Sequence, residues 1–249
     1  MRLYGWGWLT SKKRSTLSSI LLYGARFVNW VCNQSTLVSV LAPSAAEKYL
    51  GRKLCADCYH ETELDNRIAM GWAAFFKTKA VLCNRRLRLG SRMKLFESTV
   101  TPCVIYAGST WSMTLDMERG LRSTRRRMLR WMVGVARRSE EDWPDYMRRS
   151  THGCEALAER HGTVDWVVLQ RRRKWVFAGR CASKEDGRWS QRLLAWKPWF
   201  RCVPFRSVGR PMTRWDDDIA AFARDSWTES ACCRALWLAS SEGYVRRFA

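Results

Sequence analysis

A helical repeat of apolar residues between Thr114 and Gly134 is the sequence feature that most constrains the fold. Apolar side chains recur there at intervals of four or seven residues, which places them on one face of an α-helix. They are Met117, Leu121, Met128 and Met132. We expect a helix that starts near Thr114, and Gly134 is a suitable terminator for it.

A second face of the same helix carries a row of arginines spaced by three and four residues. They are Arg119, Arg122, Arg126 and Arg130. Like charges at this spacing destabilise a helix by about 0.2–0.5 kcal/mol per pair unless a polyanion lies against them. The row therefore predicts a helix that faces nucleic acid. The alternative is an Arg-rich surface helix whose arginines pair with acids elsewhere in the chain.

Helical patterns also precede this segment. From Glu61 onward one predicted apolar stripe contains Ala69, Trp72, Ala73, Phe76 and Ala80. A second helix is predicted from Ser91 to Val100, with its end at Pro102 because proline disrupts a helix interior. A short buried segment over residues 104–106 should follow.

The second half of the chain is more irregular in its pattern. Residues 136–160 predict a linker with a short helix, and residues 165–179 predict a further helix with Asp165 as its N-cap. This helix carries a basic cluster of Arg171, Arg172, Arg173 and Lys174. Residues 186–214 are rich in Trp, Arg, Pro and Gly and predict irregular structure, and a last helix should span residues 216–227. We therefore predict a mainly α protein with a small β element near residues 47–58 and a partly irregular basic C-terminal region.

The charge balance points to a polyanionic partner. The 249 residues contain 44 Lys and Arg against 23 Asp and Glu, a net charge of +21. Such an excess repels itself in a compact state unless a polyanion or counterions screen it, so RNA or DNA is the expected partner. A solvated basic face without a specific ligand is the alternative. Many of the 15 tryptophans stand beside Arg or Lys, which suits base stacking, although most of them should be core residues.

Cysteine content and hydropathy indicate the cellular compartment in which the protein is expected. The 10 cysteines are scattered, which favours reduced thiols over a secreted disulfide scaffold. The apolar segment from Leu17 to Leu41 is interrupted by polar residues and falls short of the roughly 18 uninterrupted apolar residues of a membrane span. We expect a nuclear or cytoplasmic protein that is not secreted, has no membrane partner and has no small-molecule substrate.

An ordered series of short motifs runs from Lys48 to Ile219, and no single one of them is specific. In chain order they are Lys48-Tyr49-Leu50-Gly51, Arg67-Ile68-Ala69-Met70, Leu95 to Pro102, Tyr106, Trp111, Arg126 to Arg130, Gln170 to Trp175, Asp186 to Trp189 and Gly209 to Ile219. Their order and spacing resemble the end of the reverse transcriptase polyprotein of non-LTR (LINE-type) retrotransposons. The resemblance covers about residues 44–222.

The resemblance implies a division of the chain and roles for some residues. Residues 1–43 are unmatched, residues 44–60 correspond to a palm remnant with the primer-grip hairpin, residues 61–135 to a helical thumb, and residues 136–249 to the basic C-terminal region. Tyr49, Leu50 and Gly51 match the primer grip. A thumb of this kind contacts the primer–template duplex through its backbone, which requires cations at helical spacing.

The polymerase centre of this family is missing from the chain. Its catalytic turn carries an aromatic-x-Asp-Asp sequence upstream of the primer grip, but the first aspartate here is Asp57. Trp215-Asp216-Asp217-Asp218 repeats that sequence superficially. Helical rather than strand residues follow it, so acids at a helix start explain it better. We assign no catalytic residue and expect Mg²⁺ only in the intact polymerase, so that this chain alone should not polymerise.

Metal and hydrolase signatures are equally incomplete. Cys55, Cys58 and His60 form at best half of a zinc site, and His152, Cys154 and His161 do not supply a second half at a known spacing. Neither a nucleophile elbow nor a phosphate-binding glycine loop occurs. Three interpretations remain open: a nucleic-acid-binding fragment of a reverse transcriptase, a stand-alone basic nucleic-acid-binding protein, and a non-functional remnant of a retroelement.

Overall fold

The computed structural model describes residues 47–54, 59–184, 187, 189–195, 214–224 and 226–248. Within these ranges the protein is mainly helical with one small antiparallel sheet, as the sequence predicted. Strands β1 (Glu47–Tyr49) and β2 (Arg52–Leu54) pair in a register that sets Tyr49 opposite Arg52. Residues 1–43, which the resemblance leaves unmatched, lie outside the described part.

Helices α1 (Tyr59–Leu82) and α2 (Leu89–Val104) pack along each other and contribute much of the first core. The predicted stripe on α1 is wrong, because Ala69, Ala73, Phe76 and Ala80 face solvent. The buried face instead contains Leu64, Phe75 and Leu82. Gly71 explains the difference, since a Cβ at this position would overlap the side chain of Val104. The close approach of α2 therefore follows the glycine face of α1.

The predicted end of α2 at Pro102 is also wrong, since the helix continues through Pro102 to Val104. A proline near the end of a helix removes only one of the last backbone hydrogen bonds. Burial of Thr101, Val104 and Ile105 holds the final turn in place. The indole of Trp166 adds a hydrogen bond by donating to Thr101 Oγ1 at 2.9 Å.

Helix α3 (Leu115–Val133) follows a short 3₁₀ turn at Gly108–Thr110 and agrees with the sequence prediction. Thr114 is its N-cap and accepts a hydrogen bond from the Met117 amide, while Gly134 ends it in a left-handed conformation with φ of 68°. The predicted apolar face is buried, as Met117, Leu121, Met128 and Met132 all lie in the core.

Helices α4 (Trp143–Arg160) and α5 (Trp166–Ala182) complete the first core. The sequence predicted a linker and a short helix over residues 136–160, but α4 alone has 18 residues, because Cys154 and Ala158 lie on a buried face. Asp165 caps α5 as predicted and accepts from the Val167 amide at 2.7 Å. The core formed by α1 to α5 extends from Leu64 to Val167.

A second core joins α5 to the C-terminal residues. Short helices α6 (Trp189–Ala195), α7 (Asp217–Ala223), α8 (Trp227–Ser230), α9 (Arg234–Ala239) and α10 (Ser241–Phe248) follow α5. The indoles of Trp175 and Trp237 stack at a centroid distance of 3.8 Å, and each donates its Nε1–H to the other residue's carbonyl oxygen. A Cβ at Gly179 would lie 2.6 Å from the Trp237 ring, so this packing requires glycine there.

The C-terminal helices differ from the sequence predictions in two places. Helix α6 falls in the part of residues 186–214 that was predicted to be irregular, and residues 196–213 lie outside the described part. The single helix predicted over residues 216–227 is interrupted after Ala223, because Arg224 has a positive φ of 69°. Burial of Trp227 on α8 favours this break. The buried tryptophans confirm the core assignment for Trp111, Trp166, Trp175, Trp215, Trp227 and Trp237.

Candidate nucleic-acid interface

The predicted primer-grip residues form the tip of the β1–β2 hairpin. Leu50 and Gly51 make a two-residue turn in which both φ angles are positive, at 46° and 77°, as tight hairpin turns of this kind require. The hydroxyl of Tyr106 donates to the Leu50 carbonyl at 3.0 Å, and the guanidinium of Arg67 donates to the Gly51 carbonyl. The tip is thus held from two sides, and the Leu50 side chain remains 72% exposed.

A buried ion pair on α1 anchors the hairpin to the helical body. Glu63 accepts from the Lys53 amide at 2.7 Å and from Arg67 Nε at 2.8 Å. The Arg67 guanidinium also lies over the Tyr106 ring, 4.8 Å from its centroid. These contacts bring Arg67 and Tyr106, which lie in two other motifs of the series, against the hairpin. Sequence reasoning quoted both residues without a binding role, and its prediction of a buried segment over residues 104–106 is wrong for Tyr106, which is 47% exposed.

The arginine row on α3 lies at the surface, and three of its members contact carboxylates. Arg119 Nη1 is 3.1 Å from Asp116, Arg122 Nη1 is 3.7 Å from Glu118, and Arg126 Nε is 2.7 Å from Glu155. Arg122 is also 3.9 Å from Asp165. These pairs match the alternative in which the row is neutralised within the protein. They reduce the self-repulsion that suggested a polyanion.

Arg130 differs from the other three arginines of the row. Its Nη1 donates to the Thr151 hydroxyl at 3.2 Å, and within the described residues it has no carboxylate within salt-bridge distance. No described carboxylate therefore compensates its charge at the end of α3, beside the groove described below.

The basic cluster on α5 is divided between the interior and the surface. Arg171 is buried and lies 2.6 Å from both Glu118 and Asp218. Lys174 is 1% exposed and donates to the two Asp218 oxygens at 2.8 and 2.9 Å. Burial lowers the pKa of the Lys174 ammonium, and Asp218 only partly opposes this effect. These two cations hold α5 against α3 and α7.

The remaining two members of the cluster lie nearer to solvent. Arg172 pairs with Glu242 on α10 at 2.9 and 3.1 Å, and the pKa of that carboxyl is lowered by the hydrogen bonds from Arg172. Arg173 is exposed and donates to the Ile105 carbonyl at 3.3 Å. Among the four predicted residues, Arg173 is therefore the one that is not paired with a described carboxylate.

The acids that sequence reasoning placed at a helix start have two different roles. Asp217 accepts from the Arg214 amide at 2.6 Å, which fits the predicted helix-start role. Asp218 instead accepts from Arg171, Lys174 and the Tyr244 hydroxyl, the last at 2.8 Å. Burial raises the pKa of Tyr244 well above its usual range. No sequence pattern predicted this cluster, because its members are up to 126 positions apart, from Glu118 to Tyr244.

A groove of about 550 Å³ lies between the end of α3 and the start of α4. The residues that characterise it are Arg85, Arg127, Arg130, Trp131, Trp143 and Tyr146. Arg130 is the one residue among them that the sequence analysis selected as a binding residue. Arg130 and Trp131 are one of the cases in which Arg and Trp are adjacent in the sequence, and this was the available signal for the groove.

Metal-ligating side chains are not clustered within the described residues, where no group of three His, Cys, Asp or Glu is placed to hold an ion. Cys55 and Cys58, the first half of the suspected zinc site, lie outside the described part. Cys154 is buried in the first core, and burial raises the pKa of its thiol. Among the helices of the described ranges, none has the length and apolar character that a bilayer span requires.

Comparison with known proteins identifies a relative of the chain. The chain is similar to an uncharacterized transposon-derived protein of Caenorhabditis elegans, at 28% identity over 203 residues. The alignment covers 77% of this chain and 68% of that protein. No family model matches the chain, and no solved structure matches it. The similarity makes a transposon origin plausible.

Proposed function

We propose that this chain is the post-catalytic part of a non-LTR reverse transcriptase and that it binds RNA or an RNA–DNA duplex without polymerising. The ordered motifs from Lys48 to Ile219 support the assignment to a reverse transcriptase, and the transposon-derived relative supports the broader origin. In the intact polyprotein this part would hold the primer–template while a separate palm supplies the metals and the chemistry.

The excess of positive charge is the observation that best supports the binding function. The chain has 44 basic and 23 acidic side chains, so 44 − 23 = 21 positive charges would remain if every acid neutralised one base. Several of the uncompensated cations belong to the described surface, among them Arg130 and Arg173. A surface of this kind attracts phosphates without reading sequence.

The hairpin supplies a second element of the proposed interface. Its tip presents Tyr49 and Leu50 at the surface, while Arg67 and Tyr106 fix its backbone. A turn with a fixed backbone can position the end of a bound strand reproducibly, which is the role that the resemblance implies for Tyr49, Leu50 and Gly51.

Salt dependence tests the binding function directly. If about five phosphates are neutralised, the slope of log affinity against log salt should be about −3.5 on single strands and about −4.5 on duplex. Reversing the charge at Arg130 and Arg173, which no described carboxylate pairs with, should weaken binding equally for all sequences. A flat salt response, or no binding at low salt, would remove the proposal. Template-dependent and Mg²⁺-dependent primer extension by the pure chain would contradict the absence of polymerase activity.

A remnant without function is the second candidate, and one observation favours it. The outer face of α1 exposes apolar side chains, including Met70, Phe76 and Val81. Such a strip promotes association when a partner that once covered it is missing. A monodisperse sample with a cooperative thermal transition would count against the remnant. It would also be the first requirement for a stand-alone binding protein.

A further inference from the structure

We propose that the groove between α3 and α4 binds single-stranded nucleic acid, with a base stacked on Trp143 and phosphates held by Arg127 and Arg130. This inference rests on the proposed nucleic-acid-binding function and adds to it a surface, a strand form and a division of roles among the residues. Among the described residues, the groove brings exposed aromatic rings together with several guanidinium groups that no described carboxylate pairs with.

The guanidinium groups of the groove keep their charge available. Arg85 donates to the Gly134 carbonyl at 2.9 Å, Arg130 donates to a hydroxyl, and Arg127 lies over the Trp72 ring at 5.5 Å. Within the described part of the chain none of the three is within salt-bridge distance of a carboxylate. Arg119 and Arg126, on the same helix, are each paired with one. A phosphate bound at Arg127 and Arg130 therefore displaces no ion pair among the described residues.

The aromatic rings of the groove indicate an unpaired strand. The Trp143 side chain is 60% exposed, and Tyr146 lies beside it with ring centroids 5.5 Å apart. Trp131, on α3, also lines the groove and is 40% exposed. Within a duplex the faces of the bases are stacked on each other, so only an unpaired base can stack on an exposed indole.

The carboxylates near Trp143 determine which helix receives the phosphates. Glu141 is paired with Arg149 at 2.6 and 2.7 Å, and Asp145 lies 3.4 Å from Arg148. Glu140 and Asp142 add negative charge to the same stretch. Phosphates should therefore lie along α3, where the uncompensated arginines are, while the base lies against the start of α4.

The test uses the full chain and measures binding of labelled 12-mer strands of oligo(U), oligo(dT) and a matched duplex by fluorescence anisotropy. Trp143→Ala should weaken single-strand binding at least about five-fold, since one stacked base contributes that much or more, and should leave duplex binding unchanged. Trp189→Ala is the matched control, because Trp189 is also exposed and also lies beside an arginine, Arg192 at 5.4 Å. The control should leave both affinities unchanged.

A charge-matched pair of variants tests the phosphate contacts. Arg127→Gln with Arg130→Gln should reduce the single-strand salt slope by about 1.4, the value for two phosphates, and should reduce single-strand more than duplex affinity. Arg119→Gln with Arg126→Gln removes the same charge from the same helix and should affect both strand forms to the same degree. Circular dichroism verifies that each variant retains its helices.

Cross-linking of the unmodified protein makes the test independent of folding defects. A strand that contains 5-iodouridine should cross-link to the peptide carrying Trp143, whereas cross-links confined to other peptides would overturn the proposal.

If the unmodified protein binds no polynucleotide, the proposed function fails. If it binds but Trp143→Ala behaves like Trp189→Ala, the groove proposal alone fails. Equal competition by poly-glutamate would also overturn it, since that result indicates an acidic peptide site. A preference for oligo(U) or oligo(dT) identifies the strand as RNA or DNA.

Discussion

Replacing Asp218 with asparagine should destabilise the C-terminal part of the fold more than any neighbouring change of the same chemistry. The Asp218 carboxylate accepts from Lys174, Arg171 and Tyr244. Arg171 would retain Glu118 as a partner, at 2.6 Å. Lys174 would lose the one carboxylate that contacts it within the described residues, in a site where its side chain is 1% exposed.

The expected magnitude follows from the burial of this pair. Removing one partner of a buried ion pair costs about 3–5 kcal/mol, and Asp218, at 15% exposure, favours the lower end of that range. For a domain of this size the change lowers the melting temperature by about 6–12 °C. Because burial already lowers the pKa of Lys174, the neutral amine becomes more accessible at alkaline pH. The cost of Asp218→Asn should therefore shrink as the pH rises.

Urea denaturation followed by circular dichroism measures the stability, and hydrogen exchange shows which helices open first. Asp217→Asn is the matched control, because Asp217 is exposed and accepts one amide hydrogen bond, so its loss should cost no more than about 1 kcal/mol. Adding Lys174→Met to Asp218→Asn should recover part of the loss, since no unpaired cation is then buried. Equal effects of Asp218→Asn and Asp217→Asn would refute the reasoning, as would hydrogen exchange that accelerates in α1 rather than in α7 to α10.

Three further changes test other contacts. Gly179→Ala should cost about 1–3 kcal/mol in denaturant titrations, because its Cβ would meet the Trp237 ring at 2.6 Å. Thr114→Ala should cost about 1 kcal/mol by loss of the α3 N-cap, which the same titration measures. Hydrogen bonds from Arg149 lower the pKa of Glu141 to about 2. The stabilisation from Glu141 is therefore complete above its unfolded pKa near 4.5, and it should disappear as the pH falls from there through 2, which NMR titration of residues 137–149 can follow.

The sequence predicted those helices whose apolar repeat coincides with a clear cap, and on α1 and α2 it failed where a glycine or a proline changed the packing. Helix α3 has both a cap at Thr114 and a terminator at Gly134, so its prediction is confirmed. On α1 the apolar repeat was assigned without Gly71, although the glycine determines which face α2 approaches. Glycine has no side chain and so does not contribute to a hydrophobic repeat, and the predicted stripe therefore lay on the wrong face of α1.

Sequence reasoning was less able to separate the basic residues that form buried ion pairs from those that are free to bind a ligand. Arg171 and Lys174 recur in phase with the buried residues Val167, Trp175 and Ala178, so a helical repeat alone places both cations inside. What it cannot supply is the distant acid, since Asp218 lies 44 positions beyond Lys174. A cation in phase with an apolar face should therefore be assigned to a buried ion pair first. Arg127 and Arg130 differ from these cations, because within the described residues no carboxylate pairs with either of them, and the groove proposal depends on that difference.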